Sequence, residues 1–185
     1  MLRKPIITIK EMTLMAVLVA ITIALDAIKL LPMINGGSIN GAMIGLALIA
    51  LCFSPIKTFI ATSLIFGLLT ALLDGYLAFY VFDYFFALSG FFMISLFREL
   101  ILKGDKRVAI PTLYVAFFFA FLVRFTSHVI SGILYFEVDF AGSVAYNITY
   151  LAPSFLLTLI ALGFFMLSSL RNQIAKITLV SYFDR

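Results

Sequence analysis

A small set of polar side chains interrupts long apolar stretches of this sequence. Ionisable or amide groups in hydrocarbon are costly unless they are paired, hydrated or engaged by a ligand, so each one is a candidate functional residue. The side chains in question are Asp26, Lys29, Asp83, Arg124, His128 and Asn147.

The spacing of several of these residues places them on helix faces that also carry aromatic rings. Residues three, four and seven apart share one side of a helix. Sparse polar groups on an aromatic wall are typical of ligand sites, and a carboxylate among rings favours a flat organic cation through charge pairing and cation–π attraction. The three predicted faces are Tyr76, Tyr80 and Asp83; Arg124, His128, Ser131 and Tyr135; and Asn147, Tyr150 and Ser154, with Tyr146 adjacent.

The depth of these groups indicates a pocket. At 1.5 Å per helical residue, Asp83, His128 and Asn147 lie about 6 to 10 Å below the outer ends of their predicted helices. Three helices thus bring a polar group to one level, which favours a pocket open to the outside over a pore.

Structural alternatives remain for every one of these groups. Asp83 could form an intramembrane ion pair with Arg124, and Asp26 could pair with Lys29 three residues away. His128 and Asn147 could link helices, as polar side chains in membrane bundles often do. Tyrosines are also common at the membrane interface, so Tyr76, Tyr80 and Tyr135 could belong to an aromatic belt.

The composition excludes most soluble classes. Of 185 residues, 64% are hydrophobic and 12% are charged, whereas soluble domains are about half apolar and a quarter charged. The single cysteine and the single histidine exclude an internal disulfide and a multi-histidine zinc site. A phosphate-binding loop and a His-Glu-x-x-His motif are both missing from the sequence. We therefore expect no enzymatic activity and no cofactor.

The apolar stretches predict an all-α integral membrane protein with six transmembrane helices in a single domain, residues 1–185. About 20 apolar residues are needed for one crossing. Turn residues such as Asn35, Gly36 and Pro55 separate the stretches. The predicted spans are 12–32, 40–53, 58–73, 77–97, 108–135 and 143–169.

The basic residues predict the orientation. All lysines and arginines except Lys29 and Arg124 lie on one side of the predicted spans, and Arg3, Lys4 and Arg185 lie at the two ends of the chain. This asymmetry is the positive-inside pattern, which places both termini in the cytoplasm. The basic excess therefore indicates contact with the headgroups of the lipid bilayer and not with nucleic acid.

Small residues form a stripe along the first predicted span. Ala16, Ala20 and Ala24 are four residues apart, and such a stripe lets another helix approach closely. The stripe is either an internal packing face or a docking face for a partner subunit.

Several of these segments resemble one known family, the thiamine-specific substrate-binding subunits (S components) of energy-coupling factor (ECF) transporters. Residues 124–132 resemble the motif of the family's fifth helix, residues 146–154 that of its sixth helix, and residues 36–39 its first loop. Asp83-Tyr84 stands where the family usually has Glu-Tyr. The alanine stripe resembles the first-helix motif with which S components contact the transmembrane coupling subunit. The resemblance implies an S-component-like bundle.

The resemblance also implies individual roles. Asp83 would offset the thiazolium charge of thiamine, His128 would line the pocket beside the rings, and Asn147 would hydrogen-bond the aminopyrimidine. The 33–39 loop would be a lid, and a tyrosine or phenylalanine such as Tyr80, Tyr135 or Phe136 would replace the family's tryptophan. The predicted ligand site comprises Asp83, Tyr84, His128, Tyr146, Asn147, Tyr80, Tyr135, Tyr150, Gly37 and Ser38, and the predicted docking face Ala16, Ala20 and Ala24.

By resemblance, the chain is a multi-pass protein of the cell membrane that captures thiamine with high affinity. It would hand the vitamin inward within a complex of a coupling subunit and two cytoplasmic ATPases, which alone use ATP. One alternative is an S component for riboflavin or a pyrimidine precursor. Another is a non-transporting membrane scaffold or a membrane enzyme.

Overall fold

The computed structural model describes residues 7–33 and 36–179. Arg3, Lys4 and Arg185, which supported the predicted orientation, lie outside these residues, and so does Asn35 of the predicted lid.

Most of the described chain is helical, as the apolar stretches predict. Two helices were not predicted: α5, a short helix, and α8, which follows the last predicted span. In chain order the helices are α1 (Ile9–Ala27), α2 (Ala42–Cys52), α3 (Pro55–Leu73), α4 (Val81–Leu96), α5 (Arg98–Lys103), α6 (Lys106–Tyr135), α7 (Phe140–Leu167) and α8 (Leu170–Leu179).

Three of these helices are long and apolar enough to cross a membrane. They are α3, α6 and α7, with 19, 30 and 28 residues. Large apolar side chains point outward along them, and Phe164 on α7 is 71% exposed. Such outward apolar surface is unusual for a protein in water. The architecture is that of a mostly helical membrane protein.

The second predicted span, 40–53, contains one short helix, α2, which lies inside the bundle. Helix α2 has 11 residues, whereas a full crossing needs about 20. Leu46, Ile49 and Leu51 are fully buried, and α2 packs against α1 and α7. A helix that is apolar on every side is buried in a core, so α2 forms the centre of the bundle.

The connection from α1 to α2 is a small hairpin, where the sequence predicted an all-α chain with a loop. Strand β1 (Leu31–Pro32) pairs antiparallel with β2 (Ser38–Ile39), with Leu31 opposite Ile39. Gly36 has a φ of 88°, which glycine adopts without the steric cost of a Cβ. Each strand has only two residues, so the alternation of apolar and polar side chains that identifies a strand in a sequence cannot be recognised here.

Buried basic side chains hold the opposite end of the bundle together. Arg98 donates to the carbonyl of Cys52 at 2.9 Å, and Arg171 donates to the carbonyls of Ile101 and Gly104. These carbonyls lie at helix ends, where cationic donors satisfy free acceptors and oppose the helix dipole. The basic residues thus cap helices as well as marking orientation.

Candidate ligand-binding site

A cavity of about 310 Å³ opens between the hairpin and the ends of five helices. That volume lies at the lower end of the range for small-molecule sites. Its lining consists of Asp26, Lys29, Gly36, Gly37, Ser38, Asn40, Phe66, Thr70, Asp74, Tyr76, Asp83, Tyr84, Leu88, Arg124, His128, Ser131, Gly132, Phe136, Val138, Ser143, Tyr146, Asn147 and Tyr150.

The first part of α4, Val81–Phe86, is π-helical and carries Asp83 and Tyr84. Such widened turns occur frequently at functional sites. Ser127 on α6 donates to the carbonyl of Phe82 at 2.6 Å and so ties the widened turn to its neighbour. The π-helical segment therefore sets the direction in which both side chains point.

Asp83 pairs with His128. Its Oδ1 lies 3.0 Å from the Nδ1 of His128, and the Asp83 and His128 side chains are 18% and 12% exposed. The ion pair between Asp83 and Arg124 that the sequence offered as an alternative is not formed. The imidazole, one helical turn away from Arg124 on α6, occupies the hydrogen-bonding position at the carboxylate.

The guanidinium of Arg124 lines the cavity without a direct partner. Its Nε and Nη1 atoms are buried and donate to no partner within residues 7–33 and 36–179. Asp26 and Asp83 interact with it through their charges, although neither is hydrogen-bonded to it. A buried guanidinium with free N–H groups offers donors to an oxygen or nitrogen acceptor in the cavity.

Other buried polar atoms of the cavity are also unpartnered. Buried polar groups in folded proteins are almost always hydrogen-bonded, so each exception needs an explanation. Among the described residues, the cavity atoms of this kind are Thr70 Oγ1, Arg124 Nε and Nη1, His128 Nε2 and Ser131 Oγ; Ser63 Oγ, elsewhere in the bundle, is one more.

Asn147 joins α6 to α7 at the cavity wall. Its Nδ2 donates to the carbonyls of Ser143 and His128 at 2.9 and 3.3 Å, and its Oδ1 accepts the Tyr150 hydroxyl at 2.6 Å. Directly opposite, a Cβ on Gly132 would overlap Ser143. Asn147 therefore links the two helices by hydrogen bonds and orients Tyr150. It also lines the cavity.

The hairpin covers the tyrosine wall. The Gly37 N–H donates to the Tyr146 hydroxyl at 3.2 Å, and the rings of Tyr146 and Tyr150 lie 5.6 Å apart. A Cβ on Gly37 would stand 2.7 Å from Tyr150, and one on Gly36 would stand 2.8 Å from the Tyr76 hydroxyl. Glycine thus permits the backbone to lie directly on the rings.

Asn40 is a cavity-lining residue that the sequence analysis missed. Its Nδ2 donates to Asp26 at 2.8 Å and to Ser38 at 3.0 Å, and its Oδ1 accepts the Ala42 N–H at 3.1 Å. Its own N–H donates to Ser154 on α7 at 3.3 Å. Asn40 precedes the N-cap residue Gly41. An asparagine whose side chain accepts the N–H two residues later is a turn signal, and it could have identified this junction.

Three further polar side chains are linked to one another at the rim of the cavity. Lys29 pairs with Asp74 at 3.3 Å, and the Tyr84 hydroxyl donates to the other Asp74 oxygen at 3.2 Å. The alternative pairing of Asp26 with Lys29 is therefore wrong. Lys29 follows the end of α1 and reaches outward, whereas Asp26 lies inside the helix and faces Asn40.

Two predicted site residues lie outside the cavity lining. The Tyr80 hydroxyl donates to the carbonyl of Ser63 at 2.8 Å, and the Tyr135 ring packs on Phe79 at 5.2 Å. The predicted face assumed regular α-helical spacing. The chain instead has a 3₁₀ turn at Leu77–Phe79 and the π-helical segment after it, which rotates Tyr80 away from Asp83. Phe136, the third proposed aromatic, does line the cavity.

The alanine stripe lies on the outer surface of α1. Ala16, Ala20 and Ala24 are all exposed, whereas Met15 and Val19 on the other side of α1 are buried. The stripe is therefore not an internal packing face of this chain. The face remains available to another helix or to lipid.

Comparison with known proteins supports a transport role for this architecture. The profile of the thiamine transporter protein family (Thia_YuaJ) matches residues 12–174. The thiamine transporter ThiT of Bacillus subtilis (strain 168) is 31% identical over 166 residues, which cover 80% of this chain and 85% of that protein. No solved structure gives a significant match. With its long apolar helices, the chain is a multi-pass protein of the cell membrane, and it belongs to the thiamine transporter family.

Proposed function

We propose that this chain is the thiamine-binding subunit of an ECF-type transporter. It forms one domain with six helices in the membrane, of which α2 is the short and buried one, and with cytoplasmic termini. It receives the vitamin from the outer side of the membrane. It performs no bond chemistry, and ATP is used only by its partners. Membership of the thiamine transporter family and the similarity to ThiT support thiamine as the ligand.

One observation carries the proposal: cavity-lining residues of α3 and α6 hold buried polar atoms that have no hydrogen-bond partner among the described residues. Leaving buried polar groups unpaired costs about 1–3 kcal/mol each. A ligand with several hydrogen-bonding groups removes that cost when it binds. Thiamine has such groups at its aminopyrimidine and hydroxyethyl ends.

The charges at the cavity fit a monocation. Asp26, Asp74 and Asp83 face Lys29 and Arg124, so the lining has an excess of one carboxylate. The thiazolium of thiamine carries one permanent positive charge. The ligand therefore neutralises the site, and Asp83 stands next to the cavity as its carboxylate partner.

The remaining site residues form the walls and the lid. Tyr84, Tyr146 and Tyr150 supply aromatic surface, and Phe136 is the ring best placed to replace the family's tryptophan, since it lines the cavity while Tyr80 and Tyr135 do not. Tyr80 and Tyr135 lie outside the lining and contact Ser63 and Phe79, so neither is the proposed stacking ring. Gly37 and Ser38 close it from above.

The exposed alanine stripe is the proposed contact with the transmembrane coupling subunit. Ala16, Ala20 and Ala24 are exposed along α1, and small residues let a second helix approach closely. The complex would also contain two cytoplasmic ATPases. Family membership supports this partnership, which gives a substrate-binding subunit access to ATP-driven transport.

A ligand screen on the purified protein tests the function directly. We expect micromolar thiamine to raise the melting temperature in detergent by several degrees, because a ligand present at about 1,000 times its Kd adds roughly 4 kcal/mol to stability. Riboflavin and a pyrimidine precursor are the comparison ligands. If riboflavin stabilised the protein and thiamine did not, the chain would serve another vitamin. Stabilisation by none of them would indicate a scaffold or an enzyme.

The lid contact gives a second prediction. Replacing Gly37 with Ala is expected to weaken thiamine binding about 10-fold, because the new methyl group would displace the hairpin from the buried Tyr150 ring. The control is Gly41→Ala, where the nearest atom, on Leu25, would be 3.4 Å away. Titration calorimetry measures both variants. Equal affinities would show that the hairpin does not close over the ligand.

A further inference from the structure

The two nitrogens of the His128 ring have different surroundings. Nδ1 lies 3.0 Å from Asp83 Oδ1. Nε2 is buried and has no hydrogen-bond partner in the described parts of the chain. Because an ionised carboxylate can only accept, this contact requires the proton on Nδ1. In the neutral ring, Nε2 then carries a lone pair and acts as an acceptor.

Neighbouring residues hold the ring in this orientation. The Tyr150 ring lies edge-on to His128 at 6.2 Å and 80°. The Tyr150 hydroxyl is fixed by Asn147, which also donates to the His128 carbonyl. A flip that exchanged the two nitrogens would break the contact with Asp83. The lone pair of Nε2 therefore has a defined direction within the cavity wall.

A cationic ligand keeps the ring neutral. A doubly protonated His128 would place a second positive charge in the cavity that holds the thiazolium, and Arg124 already contributes one. Asp26, Asp74 and Asp83 already balance Lys29, Arg124 and the thiazolium, so a charge on His128 would have no carboxylate left to offset it. With the cation bound, the neutral ring with a bare Nε2 is the favoured form.

We propose that Asp83, by fixing the proton of His128 on Nδ1, makes Nε2 an acceptor that selects ligands presenting an N–H group. This inference rests on the proposed thiamine-binding function and names the atom pair behind its selectivity. The amino group attached to the pyrimidine ring of thiamine supplies such an N–H group. In oxythiamine a carbonyl replaces this amine, so two lone pairs would face each other.

Paired ligands test the inference on the unmodified protein. Titration calorimetry in detergent should give thiamine an affinity about 10- to 100-fold higher than that of oxythiamine, the effect expected when a buried acceptor loses its donor. Both ligands contain the thiazolium, so their ratio does not depend on the charge. Pyrithiamine, which keeps the amine and a positive charge on a different ring, should bind much like thiamine.

Variants locate the selectivity. In Asp83→Asn the amide can present a donor or an acceptor to Nδ1, so His128 can adopt either tautomer and the preference for thiamine should disappear. His128→Asn should also abolish it, because no atom then occupies the position of Nε2. Asp105→Asn is the matched control, since this carboxylate caps the first turn of α6 through the Arg107 N–H and does not line the cavity, and asparagine can cap a helix equally well. It should keep the preference.

Two results would overturn the inference. One is equal binding of thiamine and oxythiamine by the unmodified protein. The other is a preference that survives in both Asp83→Asn and His128→Asn. A protein that binds none of the three cations would instead refute the proposed function, so the two failures are distinguishable.

Discussion

Replacing Asp83 with Asn is expected to weaken thiamine binding by about 100-fold or more, because removing one member of a buried charge pair typically costs 2–5 kcal/mol. The carboxylate lies at the cavity, hydrogen-bonded to His128. The thiazolium has no other carboxylate partner on α4. Titration calorimetry on the detergent-solubilised protein measures the loss.

An uncharged isostere of thiamine, with carbon in place of the thiazolium nitrogen, is the control ligand. It has the same aminopyrimidine, so any effect of the variant on His128 applies to both compounds. Its affinity should fall less than about 10-fold, which corresponds to 1.4 kcal/mol. An equal loss for both compounds would mean that Asp83 organises the cavity and does not compensate the cation.

Placing leucine at Ala16 and Ala20 together is expected to abolish thiamine uptake while ligand binding stays unchanged. Both positions are exposed on α1, and larger side chains would prevent another helix from approaching closely. Uptake of labelled thiamine by cells that contain the complete transporter is the measurement. Calorimetry on the purified variant checks that the site is intact.

The matched control is Val17→Leu combined with Ile21→Leu. These residues are 50% and 45% exposed on the same helix but lie outside the stripe, so uptake should continue. Normal uptake in the alanine variant would contradict the docking role. Loss of ligand binding in that variant would mean that the stripe supports the fold of this chain.

Apolar length and helical spacing were sufficient to predict much of the bundle. Helices α6 and α7 follow the predicted spans closely because each is a long apolar segment bounded by turn residues. The grouping of His128 with Ser131, and of Asn147 with Tyr150, holds because both pairs lie in regular α-helix.

Three of the differences arise where regular helical periodicity gives no information. Tyr80 lies next to a 3₁₀ turn and a π-helical segment, where the angle between successive side chains departs from α-helical geometry. Lys29 and Asp74 lie in the segments that follow α1 and α3, and helical spacing within one segment cannot predict a contact between two segments. Asn40 acquires its four contacts only when α1, the hairpin, α2 and α7 assemble.

Under the proposed function, the excess carboxylate at the cavity determines how the membrane potential acts on a transport cycle. Moving one elementary charge through 100 mV is worth about 2.3 kcal/mol. Once thiamine has cancelled the single net negative charge of the lining side chains, the field does no net work on the loaded site as it moves inward. The voltage then acts on the return of the unloaded subunit, whose anionic lining is driven outward by a cell interior at negative potential.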